Sequence, residues 1–156
     1  MKARNVIISV LCAVALVACE TWEPNFPEGD YSLREQIEGQ WFAQAYISPY
    51  GRQVSILDYD YNIIPMTFSF GDYDTCYIRW HCVVNMFYLV NTIDDKNHIT
   101  MLYGGCLTQG LDLSGKSDKF FRVMESVNSG YVREDTLFLL TDPKKNHQYK
   151  AICLTR

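Results

Sequence analysis

Met66, Phe68 and Phe70 alternate with Thr67 and Ser69, the period-two pattern of a half-buried strand, and similar strand-like stretches recur from residue 39 to the end of the chain. All 22 aromatic residues, eleven of them tyrosines, lie after Cys19. Aromatic rings cover a pleated surface well, so this supply favours a β-rich domain. Gly39–Ile47 reads as the first strand, with Trp41, Ala43, Ala45 and Ile47 on one face. Val54–Leu57 is a short second strand, Met66–Phe70 a third, Cys76–Cys82 with Val83–Ile93 one long bent strand or two, and Ile99–Tyr103 another, reached through a turn at Asp94–Asn97. Leu33–Glu38 reads as a helical turn. A packing helix is predicted over Ser117–Asn128, where Phe120, Met124 and Val127 recur at spacings of four and three and Gly130 suits the C-terminal cap. Thr136–Thr141 and Gln148–Leu154 complete the pattern. The fold class is α+β and mainly β, a curved antiparallel sheet or small barrel with one packing helix.

The start of the chain is of another kind. Lys2 and Arg4 form a basic n-region, Val6–Val17 is apolar except for Ser9, and Leu16-Val17-Ala18-Cys19 closes the segment. This is the layout of a bacterial lipoprotein signal. Twelve residues are fewer than the twenty or so of a spanning helix. The layout implies cleavage before Cys19 and acylation of that residue, palmitate being a typical chain, with the lipid bilayer as first partner and the outer membrane, on its periplasmic face or at the cell surface, as address. Residues 19–32, acidic and proline-containing, read as a tether, and 33–156 as one β domain.

Removal of residues 1–18 leaves 138 of 156 residues, the size of a single domain, and moves the formal charge from −4 to −6. An acidic chain without a basic run in its sequence argues against nucleic acid and against electrostatic docking on anionic lipid. Cys76, Cys82, Cys106 and Cys153 remain beside the anchor. Outside the cytoplasm, an even set of four points to one or two disulfides among three connectivities.

The chemistry-bearing motifs are few. His81, His98 and His147 are dispersed, and the cysteine spacing makes no zinc knuckle. His81 and Cys82 are neighbours in a strand and point to opposite faces. Asp58-Tyr59-Asp60-Tyr61-Asn62 opens like a calcium loop but has Ile63 and Ser69 where an EF-hand needs glycine and glutamate. No Gly-x-Ser-x-Gly, phosphate loop, dinucleotide fingerprint or Cys-x-x-Cys occurs. The reading is therefore a non-catalytic binding or structural accessory without metal or cofactor, with a glycan-binding or glycan-active surface protein as a further alternative, since the spacing of paired carboxylates is spatial. Its expected contact surface is formed by Tyr50, Tyr59, Tyr61 and Tyr73, on loops 49–62 and 71–75, and its partner is an envelope protein, a glycan or a small apolar ligand.

Taken in order, several segments resemble the META domain of HslJ-like envelope lipoproteins. They are Gly39 and Trp41, then Met66-Thr67-Phe68-Ser69-Phe70, Cys82 with Asn85 and Phe87, Gly104-Gly105-Cys106, the helix Lys119–Val127, and Asp135-Thr136-Leu137-Phe138-Leu139-Leu140. The resemblance covers residues 37–154. It implies a compact, highly curved antiparallel sheet with one helix, a Cys82–Cys106 disulfide and no established enzyme activity. The chain departs from the family where His81-Cys82-Val83-Val84-Asn85 replaces a contiguous Gly-Cys-Asn. Gly39-Gln40-Trp41 also resembles the start of a lipocalin-like β-barrel. That alternative implies a carrier of a small apolar ligand in which Arg156 meets Trp41.

Overall fold

The structure is a computed structural model that describes residues 32–56, 64–108 and 110–156. The signal segment, Cys19, nearly all of the tether, and Tyr59 and Tyr61 lie outside the described residues.

Strands β1 (Gly39–Ile47), β2 (Gln53–Ser55), β3 (Ile64–Phe70), β4 (Thr75–Cys82), β5 (Asn85–Ile93) and β6 (Ile99–Cys106) precede helix α2 (Lys116–Glu125). Strands β7 (Val127–Arg133), β8 (Thr136–Thr141) and β9 (Ala151–Thr155) follow it, and the short helix α1 (Leu33–Ile37) precedes β1. All strands form one antiparallel sheet in the order β6-β5-β4-β3-β1-β9-β8-β7, with β2 on β1. The last strand pairs with the first, so the sheet curls, and its two edges touch at a single bridge, His98 with Ser129. The result is mainly β with a curled, half-barrel sheet, as expected.

The concave face is filled by its own side chains. Trp41, Met66, Phe68, Ile78, Trp80, Leu89, Phe120, Leu137, Leu139, Ile152 and Leu154 belong to one buried cluster that draws on strands across the whole sheet. At the end we term the floor, α1 buries Leu33 and Ile37. The Trp41 indole donates to the Ile37 carbonyl (2.8 Å), and the Arg156 guanidinium lies 4.8 Å from a Trp41 ring centroid while donating to the Gln36 carbonyl (2.6 Å). Asn97 Oδ1 accepts from the Leu33 amide (2.8 Å), tying α1 to the β5–β6 turn.

Two expectations require correction. Ala45 and Ile47 do not share the Trp41 face. Ala43 stands opposite Leu154 but Ala45 opposite Cys153, so Gln44 is an extra residue. A bulge of this kind flips the side chains beyond it, which turns Tyr46 inward and Ala45 and Ile47 outward. The helix ends at Glu125, not Asn128, and an unexpected strand, β7, follows. Gly130 is consequently no cap: it lies mid-strand, where an added Cβ would sit 3.0 Å from the Phe138 carbonyl oxygen and 3.3 Å from Leu33. Of the two readings of Cys76–Ile93, one long bent strand or two, the structure has two: Val83-Val84 forms a tight turn between β4 and β5, with Val83 at φ +57°. That conformation is costly for a β-branched residue. The connection after β6 lies against this turn, for Gly110 approaches Val84 so closely that a Cβ would meet it at 2.4 Å.

Trp41→Ala is expected to destabilise the domain by about 3–5 kcal/mol in urea unfolding. Arg156→Ala should cost only about 0.5–1 kcal/mol. The Arg156 effect should vanish in the Trp41→Ala background, whereas two independent losses would contradict the stacked contact.

Candidate functional site

Chain direction places the connections at two ends. The turns at 71–74, 94–98 and 134–135, together with α1 and Arg156, lie at the floor. The turns at 48–52 and 83–84, the connection 107–115 and the connection 142–150 lie at the opposite end, the mouth, beside α2. Tyr50 and Tyr73 are 98% and 95% exposed but occupy mouth and floor respectively. Roughly 25 Å of β1 separates them, so they do not form one surface. Asp74 of the floor turn is ion-paired with Arg34.

Among the described residues Cys76, Cys106 and Cys153 are thiols. Cys82 pairs across β4–β5 with Asn85, while Cys106 pairs across β5–β6 with Phe87. Their strands flank β5 at roughly 9–10 Å, beyond the 4.4–6.8 Å or so between the Cα atoms of a disulfide. The pairing implied by the META resemblance is thus not formed in this structure. Cys76 and Cys153 do not meet either, since Cys76 belongs to the main core and Cys153 packs beside Tyr131 in a separate outer cluster. Cys76 is a core residue, and desolvation pushes its thiol up to about 12, against a smaller lowering by Arg34. His81 is exposed and Cys82 buried, on opposite faces as expected. Among the described residues no group of histidines, cysteines and carboxylates is arranged to hold a metal ion.

The groove that the sequence reading missed lies at the mouth, between α2 and the 142–150 connection, with a volume of about 590 Å³. Lys119 and Arg122 line it from the helix, and Lys145, Asn146, His147 and Gln148 from the connection. Its residues are separated in sequence by more than twenty positions, so no local motif announces it; the only local sign was the spacing of Lys116, Lys119 and Arg122 along one helix.

Both walls are held from behind. Phe120 enters the core, 5.7 Å from Trp80 with near-perpendicular rings and 6.3 Å from Tyr46. Val123 and Met124 follow it inward, which turns the intervening Lys119 and Arg122 outward. Asp112 caps the helix: its carboxylate accepts from the Ser117 amide (2.8 Å) and the Ser114 amide (2.9 Å), while Ser117 Oγ donates to the Cys82 carbonyl (3.3 Å). At the other end, Asp142 donates its amide to the Ser126 carbonyl (2.7 Å), and Asn146 Nδ2 donates to Ser126 Oγ (3.3 Å). Asn146 Oδ1 accepts from the Gln148 and Tyr149 amides.

Positive charge concentrates here despite the acidic chain. The Lys119 ammonium lies 5.3 Å and 5.1 Å from the ring centroids of Tyr46 and Tyr149, which stack on each other at 4.4 Å. Desolvation, followed by the influence of Cys82 and Tyr149, raises the Tyr46 phenol well above its ordinary value, so the ring beneath the lysine stays neutral. None of Lys119, Arg122 and Lys145 forms an ion pair among the described residues. Asp118 is the single carboxylate of the lining among the described residues. Cations and amides in this arrangement can hold an oxyanion and hydroxyl groups.

No family model, curated protein or solved structure matches the chain. Among the described residues no helix is long and apolar enough to cross a membrane.

Burial works to raise the Asp112 carboxyl but is outweighed by hydrogen bonds from Ser114 and Ser117, which hold it well below the usual carboxylate range. A depressed carboxylate contributes stability above its unfolded value and loses it as pH falls toward the folded one. Asp112→Ala should therefore cost about 1 kcal/mol at neutral pH, and its difference from the wild type should narrow below about pH 4 in urea unfolding. A pH-independent difference would contradict this account.

Proposed function

We propose that the chain is a lipid-anchored cell-envelope protein, held in the outer membrane through acylated Cys19, whose β domain is a non-catalytic binding accessory. The observation that carries the binding role is the mouth groove, a concavity with three cations that have no carboxylate partner among the described residues. The first described element, α1, lies on the floor, at the end of the domain opposite the groove. The thirteen residues from Cys19 to Tyr31 reach at most about 45 Å when extended.

The META-like reading rests on the sequence segments named above and is compatible with a curled sheet closed by one substantial helix. A lipocalin-like carrier is favoured by one contact, Arg156 over Trp41 at the floor. Against it stands the concave face, filled by Trp41, Phe68, Trp80 and Phe120, where a carrier of apolar ligands needs space.

The test is made in the native envelope. Cys19→Ser should move the protein from the detergent-extracted membrane fraction to the soluble one and abolish incorporation of labelled palmitate. A photoreactive residue at Gln148 should cross-link an envelope component that the same residue at Glu134, on the floor, does not reach. Retained membrane attachment in Cys19→Ser, or equal labelling from both positions, would refute the proposal.

A further inference from the structure

The lining of the groove specifies its ligand more closely. Lys119, Arg122 and Lys145 surround it without an ion-pair partner among the described residues, in a chain whose formal charge is −4. Asp118 offsets one of the three charges, which leaves a net positive concavity. Clustered charge of one sign attracts an anion into such a concavity. Lys119 is also positioned: the stacked Tyr46 and Tyr149 rings hold its ammonium in place, so less freedom is lost when it meets an anion. Arg122 supplies a planar fork suited to a phosphate, sulfate or carboxylate.

The remaining lining is hydrophilic. Gln148 and His147 are exposed and carry both donor and acceptor atoms, the equipment for hydroxyl groups, and Val123 is the one apolar side chain that contributes. A volume of about 590 Å³ lies within the range of small-molecule sites. It is larger than one inorganic anion needs. A hydroxylated molecule with an acidic group fits this combination better than a lipid tail or an apolar peptide.

We propose that the α2 groove binds an anionic sugar, with Lys119, Arg122 and Lys145 on its phosphate, sulfate or carboxylate and Gln148 and His147 on its hydroxyls. The inference rests on the binding-accessory reading and names the ligand class of that same site. A free sugar phosphate and an acidic envelope glycan share this chemistry, and the test separates them.

The experiment is an amide NMR titration of the purified mature domain with glucose 6-phosphate, hexagalacturonate, glucose and inorganic phosphate. Shifts should appear at Lys145–Gln148 and along α2 with glucose 6-phosphate or hexagalacturonate, and be at least tenfold weaker in affinity with glucose or phosphate. Tighter binding of hexagalacturonate identifies a glycan as the source, and tighter binding of glucose 6-phosphate a free metabolite. The double variant Arg122→Gln, Lys145→Gln, which changes two exposed side chains, should retain the folded spectrum and lose at least tenfold in affinity. Raising ionic strength from about 0.05 M to about 0.5 M should weaken wild-type binding several-fold. Binding of neither anion, equal binding of glucose, inorganic phosphate binding as well as glucose 6-phosphate, or unchanged affinity in the double variant would each overturn the proposal. If neither anion binds while the residue at Gln148 still cross-links in the envelope, the ligand class fails and the accessory reading survives.

Discussion

The bulge at Gln44 is the constraint on which the rest of the domain depends. Among the described strands β1 alone pairs with three others, β2, β3 and β9, and it runs from floor to mouth. With unbroken alternation Trp41 would face inward and Tyr46 outward, because their positions differ by an odd number. One extra residue lets both face the core. The backbone groups displaced at the bulge are used, since the Gln44 carbonyl accepts from the Ile56 amide (2.9 Å) and its side chain donates to Thr155 Oγ1 (3.0 Å). The same device that joins β1 to β9 thus sets the aromatic contents of both ends.

From that inward Tyr46 the mouth is assembled by contact. Phe120 of α2 packs on one side of it and Tyr149 stacks on another. Helix and connection are thereby held at a fixed spacing, with Lys119 above both tyrosine rings. The sheet does not close between β6 and β7, and α2 makes up the missing side at the mouth as α1 does at the floor, where Leu33 meets Gly130. The filled core makes the domain a rigid platform, and the variable chemistry is displaced to its rim. Such a division of labour suits a protein that recognises something outside itself.

Much of the architecture was legible in the sequence because it obeys period-two alternation: β1 begins and ends where Gly39 and Ile47 predict, and Met66 and Phe68 are inward as the pattern requires. The bulge was not legible, since Gln44 breaks no rule of composition and only the pairing of β1 with β9 reveals the extra residue. The sequence left Cys76–Ile93 open between one strand and two, because Val83 and Val84 are β-branched residues that signal strand and yet form the turn. Helix α2 was found by its spacing of Phe120 and Met124, but Val127 continued that spacing into what tertiary pairing makes a strand. The tyrosine-rich loops drew attention through composition, while the groove depends on residues 119–122 meeting 145–148, which is a property of the fold and not of either segment.

The most direct measurement is an isotope-edited NOE spectrum of the purified domain, read at β1. The account predicts contacts from the Tyr46 ring to Phe120, Tyr149 and Ile152, with the Ala45 α-proton opposite Cys153. A Tyr46 ring that sees only solvent, with Ile47 in contact with Trp80 or Phe120, would show an unbroken β1 and contradict the construction of the groove.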